Sequence, residues 1–391
     1  MWKESLFVSS RPAGITARWI LLGVAGIFAV GLLDSNPLWA QTSDALRYRE
    51  PFLRLCNIAS EELSKKTRSE YYGGKRAMYF YEESYAIRAL AVAYDMTGEK
   101  KYLDTCRRWS DRMVEFQSKM KPVGAYYMNY GRKPGETKGD WFVADSSSIA
   151  MGVLATAVRC DNTEQKQKYL DSVKLFAKLV LDNYVRPGGG VTDGFWTKYD
   201  GEWWCSTGLF ASLTFLLYDE TGQEQYLQAA LKAIDWFNRT EIDKVTHITL
   251  AEAGPTVLMY VFEGYSAGFG HLLTSGKNRR RATLAQWSTA LDWMSKNQGG
   301  QTSGKNWSNY NSQWGSKYGG LPFHMYIYSR EMPGSEKVRA DGDRELDYIA
   351  NVISKDSPPK LTQLVAFTMM SYAERVNPGA MYRESVVSKK P

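Results

Sequence analysis

The sequence predicts an all-α protein in which helices pair into hairpins and the hairpins close into an (α/α) toroid, a complete or incomplete barrel of about six units. Two observations carry the prediction. Three long stretches repeat one plan, and in each the apolar residues divide between a helix covered on every side and a helix wet on one face. Strand-like alternation is scarce.

The first stretch begins at Glu83 with ESYAIRALAVAYDMTGEKKYLDTCRRWSDRMVEF, the second at Asp145 and the third at Cys205. Each joins an apolar helix, through a polar segment such as TGEKK or TGQEQ, to a second helix that opens on Tyr-Leu. The anchors Tyr102, Tyr169 and Tyr226 lie 67 and 57 residues apart, so the repeated unit is one hairpin with loops of changing length. From Ala86 to Tyr94, Ile149 to Val158 and Leu209 to Tyr218, apolar or small residues run almost all the way round, which predicts inner helices. Tyr102, Leu103, Cys106, Trp109 and Met113 then recur at three- and four-residue steps between charges, as do Tyr226, Leu227, Ala230, Leu231 and Ile234, which predicts outer helices. An opening helix from near Asp44 to Lys65, a hairpin over 256–297 and a closing helix in LTQLVAFTMMSYAERV complete the count. An open tetratricopeptide solenoid is the competing architecture, and its repeat of about 34 residues fits these spacings poorly.

The first forty residues stand outside this pattern. Lys3, Arg11 and Arg18 precede the apolar run WILLGVAGIFAVGLL, and small residues allow cleavage after Ala40, the layout of a secretory signal. The expectation is therefore a signal peptide over 1–40, a single catalytic domain over 41–391, and a secreted or periplasmic protein that is free of the membrane once the signal is removed. The signal takes away three basic and two acidic residues, so the net charge of +7 becomes +6, a mild excess that suits an anionic partner. The basic run at 277–281 reads as a solvated loop, and no nucleic-acid partner is expected. Cys56, Cys106, Cys160 and Cys205 form no CxxC pair, and His247, His271 and His324 belong to no HExxH, so no metal or other cofactor is expected.

In a closed ring every inner helix points the same way, so the segments leading into inner helices gather at one mouth. Those segments are rich in rings and acids. They hold Tyr81 and Glu83 before the first inner helix, Tyr130, Trp141 and Asp145 before the second, and Trp203 and Trp204 before the third. Aromatic faces beside amides and carboxylates can stack on sugars and bind their hydroxyls, so these seven residues are candidate substrate-binding groups.

In hairpin pattern, size and aromatic loops the chain resembles the (α/α)-toroid carbohydrate-active enzymes, namely polysaccharide lyases that cut uronic-acid polymers such as alginate or glucuronan and hydrolases of unsaturated glucuronides. The resemblance implies an acidic polysaccharide or oligosaccharide as substrate. A lyase must neutralise the sugar carboxylate, take the C5 proton and protonate the leaving oxygen, work that suits Tyr, His, Asn and Arg. The stretch 306–331 offers all four. Tyr310 is the candidate base, with Asn309, His324 or His247, and Arg330 holding the carboxylate. β-Elimination is accordingly the leading expectation. The alternative is a hydrolase using paired carboxylates drawn from Glu82, Glu83, Asp140, Asp145, Asp193, Asp200 and Glu202, with Asp145 the best single choice. A non-catalytic glycan-binding protein is the third reading.

Overall fold

The anchors Tyr102, Tyr169 and Tyr226 are all buried near the start of successive outer helices, where the repeat places them. The computed structural model describes residues 43–65, 78–128, 141–194, 201–239, 256–297, 315–355 and 359–382. Six helices are buried along most of the length described for them: α2 (Phe80–Thr97), α4 (Val143–Ala157), α6 (Trp204–Thr221), α8 (Thr256–Ala267), α11 (Leu321–Glu331) and α13 (Gln363–Val376). Six more keep one wet face: α1 (Ser43–Lys65), α3 (Lys100–Gln117), α5 (Thr163–Asn183), α7 (Glu224–Arg239), α10 (Lys277–Asn297) and α12 (Glu336–Ile353). A short helix, α9 (Phe269–Thr274), bends the chain between α8 and α10. Among the described residues there is no strand, only three isolated bridges.

The inner helices pack in the order α2, α4, α6, α8, α11, α13, and α13 returns to α2, so the ring is closed. Bonds between residues at matching depths show that they run parallel. Ser84 meets Ser148 at 2.6 Å between the second turns of α2 and α4, and Gln363 at the start of α13 reaches Glu82 at the start of α2, 2.7 Å away. Gly208 of α6 faces Tyr260 of α8, where an added Cβ would lie 2.3 Å from the Tyr260 carbonyl oxygen. That approach requires glycine. Gly208→Ala is expected to force the two helices apart and to lower unfolding stability by about 1–3 kcal/mol in urea titrations.

Halfway down the ring lies a polar belt. Arg88 Nη1 donates to Glu263 Oε1 at 2.6 Å, Tyr85 OH donates to Glu263 Oε2 at 2.8 Å, and the guanidinium sits 4.3 Å from the Tyr85 ring centre. The far end of the ring is plugged by residues 377–382. Arg159, just past α4, pairs with Asp95 at 2.6 Å and donates to the Ala380 carbonyl at 3.0 Å, while Gly379 N–H donates to Glu374 at 3.0 Å. Tyr382 turns upward to the Phe323 ring, 5.6 Å between centroids. The inner helices begin at the other pole, away from this plug.

The four cysteines are free, buried thiols, and no group of metal-ligating residues occurs among the described residues. No described helix is long and apolar enough to cross a membrane.

Candidate functional site

The N-terminal ends of the inner helices expose backbone N–H groups and a positive dipole end, a setting that favours acidic side chains. The third position of three successive helices carries a polar group at the same depth: Glu82 in α2, Asp145 in α4 and Ser206 in α6. Ser206 Oγ donates to Asp193 Oδ1 at 2.8 Å. Asp193 belongs to a strap that follows α5, and its carbonyl accepts from Val143 N–H at 3.2 Å. The strap therefore lies across the first turns of both α4 and α6, two residues along the chain from Asp145 on one side.

Gly194 holds this strap in place. Its φ is +90°, and the Trp141 ring lies 3.1 Å from where a Cβ would stand. The Trp141 indole, itself 1 % exposed, packs edge-on against Tyr184. It is a buttress beneath Asp193.

Glu82 is held by three donors: Tyr79 N–H at 3.1 Å, Tyr81 OH at 3.1 Å and Gln363 Nε2 at 2.7 Å. Burial nevertheless dominates and raises its carboxyl to about 7, with the Asp145 charge adding in the same direction and Lys317 opposing. Asp193 is likewise raised to about 7, first by burial and then by the Asp145 charge, against the Ser206 hydrogen bond. The two differ in what their oxygens do. Both Glu82 oxygens accept hydrogen bonds, whereas Oδ2 of Asp193 accepts none among the described residues. Asp145 is half-buried and is the charge to which both neighbours respond.

A buried lysine completes the mouth. Lys317 lies in a 3-10 turn, Gly315–Gly320, that precedes α11 and occupies the level of the other first turns. Its Nζ is 5.1 Å from the Tyr260 ring centre and 5.8 Å from that of Tyr81. Burial lowers its pKa, while Cys205, Asp145 and Glu82 pull it back up. Ser316 donates to Gln363, which ties this turn to Glu82.

The expected sugar-binding residues divide. Tyr81, Asp145 and Trp203 stand at the mouth, Trp203 as the half-buried residue that opens α6. Trp204 lies behind it, stacked on Phe237 with ring centroids 5.5 Å apart, and packs α6 against α7. Glu83 faces the outer layer and accepts from Trp109 Nε1 at 2.9 Å, because neighbours on a helix cannot share a face. Glu202 accepts from Trp236 at 2.8 Å on the rim. Tyr130, Asp140 and Asp200 lie outside the described residues.

Of the residues expected to perform elimination, the two that are described, His324 and Arg330, are not brought together. HMYIYSR is helical, within α11, and His324 is buried against Phe262 and Phe323 with Nδ1 bonded to Ser266 at 2.8 Å. Burial, helped by the Arg88 charge, drives its pKa down to about 3, so it is neutral and cannot serve as a cationic carboxylate holder. Arg330 sits in the last turn of α11, about 14 Å along the helix from its N-terminal end, and is paired with Glu374 and Glu331 at the plugged pole. Tyr310, Asn309 and His247 lie outside the described residues. Lys317 and Gln363 were not among the candidates.

The model of the family described as Glycosyl hydrolase family 76 matches residues 58–251, the span that holds Glu82, Asp145 and Asp193. Among solved structures the chain is similar to the GH76A alpha-1,6-mannanase from Salegentibacter sp. HEL1_6, with a TM-score of 0.58 at 14 % identity over 83 % of this chain and 98 % of that one. It is also similar to an unsaturated glucuronyl hydrolase specific for heparin, with a TM-score of 0.58 at 8 % identity over 84 % and 97 %, and to a polysaccharide lyase, with 0.52 at 10 % over 83 % and 97 %. An inactive variant of the mannanase, with two adjacent aspartates replaced, was solved in complex with alpha-1,6-mannotriose. A comparison with curated proteins returns no match.

These likenesses establish the (α/α) toroid, and with the family match they place the chain among carbohydrate-active enzymes. Lyases and hydrolases share the ring, so the fold does not separate them. The family match does. The expectation of a polysaccharide lyase is overturned by a match to a glycoside hydrolase family, and nothing in these comparisons calls for an acidic polymer.

Proposed function

We propose that the chain is an exported glycoside hydrolase acting on α-mannosidic bonds, with α-1,6-linked mannan as its substrate class. The mannan reading is supported by the family match and by what the similar mannanase binds. Export rests on the signal-like first forty residues. The observation that carries the hydrolytic reading is the meeting of Asp145 and Asp193 across the first turns of α4 and α6, one carboxyl raised by burial and the other supplying the charge.

Hydrolysis needs one carboxylic acid to protonate the leaving oxygen and one carboxylate to act at the anomeric carbon. Asp193 fits the first role, since its carboxyl is raised to about 7 and its Oδ2 accepts no hydrogen bond among the described residues. Asp145 fits the second. As the bond between the anomeric carbon and the glycosidic oxygen breaks, the Asp193 proton passes to that oxygen. Water supplies the hydroxyl that ends on the anomeric carbon, and its proton returns to a carboxylate. Trp203, half-buried at the start of α6, offers a ring face to the sugar. This chain contains no two adjacent aspartates, and Ala144 precedes Asp145, so its two carboxylates come from separate segments.

The test is an activity screen. Incubation with α-1,6-mannan is expected to release reducing ends, while alginate and glucuronan yield no unsaturated product; ultraviolet absorbance growing with a uronate polymer would overturn the reading. The rate on mannan is expected to fall as the pH rises through about 7, because Asp193 then loses the proton it must donate. Asp193→Asn is expected to remove that alkaline limb and to slow mannan about 10²-fold or more, with a much smaller loss on an aryl mannoside whose leaving group needs no acid.

A further inference from the structure

We propose that Lys317 is the positioning residue of this mouth: its ammonium, held against the rings of Tyr81 and Tyr260, balances the Asp145 charge and so keeps the donor role on Asp193 and the acceptor role on Asp145. The inference rests on the hydrolase reading above and adds to it a cation that no comparison assigns.

The argument begins with crowding. Three carboxyl groups, Glu82, Asp145 and Asp193, face one largely dry mouth, where like charges disfavour one another. Burial and the neighbouring like charges both work against a carboxylate here, and a cation works for one. Among the described residues, Lys317 supplies that cation. It is 5 % exposed, and its charge is felt by Glu82, Asp145 and Cys205.

Several described elements face Lys317. α2 presents Tyr81 and Glu82, α4 presents Asp145, the strap brings Asp193 next to Asp145, α6 presents Cys205 and α8 presents Tyr260. The thiol of Cys205 and the phenol of Tyr260 are both pushed up by burial and stay neutral. Among these described neighbours, the charge that Lys317 answers is therefore carboxylate. A lysine enters such a site at a high desolvation cost, which the two ring faces and the Asp145 charge offset. The turn that carries it is fixed from both sides: Ser316 bonds to Gln363, and Gly319 packs so closely on α13 that a Cβ would lie 2.6 Å from Thr368 Oγ1.

The test compares wild type with Lys317→Met and Lys317→Arg, each checked for native helicity by circular dichroism. On α-1,6-mannan, Lys317→Met is expected to lose about 10- to 100-fold in kcat with KM within about twofold, and its acidic limb to move to higher pH. Lys317→Arg, which keeps the charge, is expected to return the limb to its wild-type position. Carbon-13 spectra of labelled carboxyl groups read the same effect without substrate. The Glu82 midpoint, assigned with Glu82→Gln, is expected to rise above its value near 7 once Lys317 is gone. A folded Lys317→Met protein with an unmoved Glu82 midpoint would overturn the proposal. If the wild type leaves mannan intact, the substrate reading falls, and the titration decides the role of Lys317 by itself.

Discussion

Asp145→Asn is expected to lower kcat/KM on α-1,6-mannan by about 10³-fold or more, with the fold unchanged. The side chain keeps its shape and its place at the third position of α4, where asparagine is tolerated, so lost activity would report chemistry. Its second signature is electrostatic. Because the Asp145 charge raises both Glu82 and Asp193, removing it is expected to lower both midpoints below about 7. Unlike Asp193→Asn, this variant is not expected to recover on an aryl mannoside, since a better leaving group does not replace the group that acts at the anomeric carbon. Equal recovery by the two variants would show that the roles have been exchanged or shared.

Glu263→Leu is expected to cost about 3–5 kcal/mol of unfolding stability. It leaves Arg88 charged at 1 % exposure in the ring interior, and the Nε and Nη2 of that arginine already lack a partner among the described residues. The double variant Arg88→Met with Glu263→Leu is expected to regain most of the loss, because a buried pair replaced as a whole costs far less than a buried charge left alone. Urea unfolding of the four proteins in the cycle measures this directly. Additive losses would mean that Arg88 and Glu263 are not coupled, and the bond between His324 and Ser266 would then have to carry the stability of that layer.

The ring was readable from the chain because its signal is local. Tyr102, Tyr169 and Tyr226 mark outer helices through a repeat and a period, and both survive in one dimension. Asp145 and Asp193 were readable as candidate carboxylates, since acids beside the start of an inner helix must lie at the mouth. Their partnership was not, because it depends on the strap folding back over α4 and on Gly194 giving way to Trp141. The cluster of Tyr, Asn, His and Arg over 306–331 suggested elimination by composition. Helix geometry breaks it up: in α11, His324 and Arg330 are separated by more than a turn and a half, and each finds its own buried partner. Lys317 gave no sequence signal, since a lysine among glycines and serines reads as solvated loop. Its burial comes from six helices meeting, which no single window contains.

The contact between α13 and α2 has a consequence for how the molecule is made. Its first and last inner walls are neighbours, so the ribosome must finish nearly the whole polypeptide before the barrel can shut. Until Tyr382 arrives, the lower bore stands open and the apolar staves on either side of the seam have no partner. Trimming the chain back through 377–382 would therefore not yield a smaller barrel, only an unlatched one with a sticky edge.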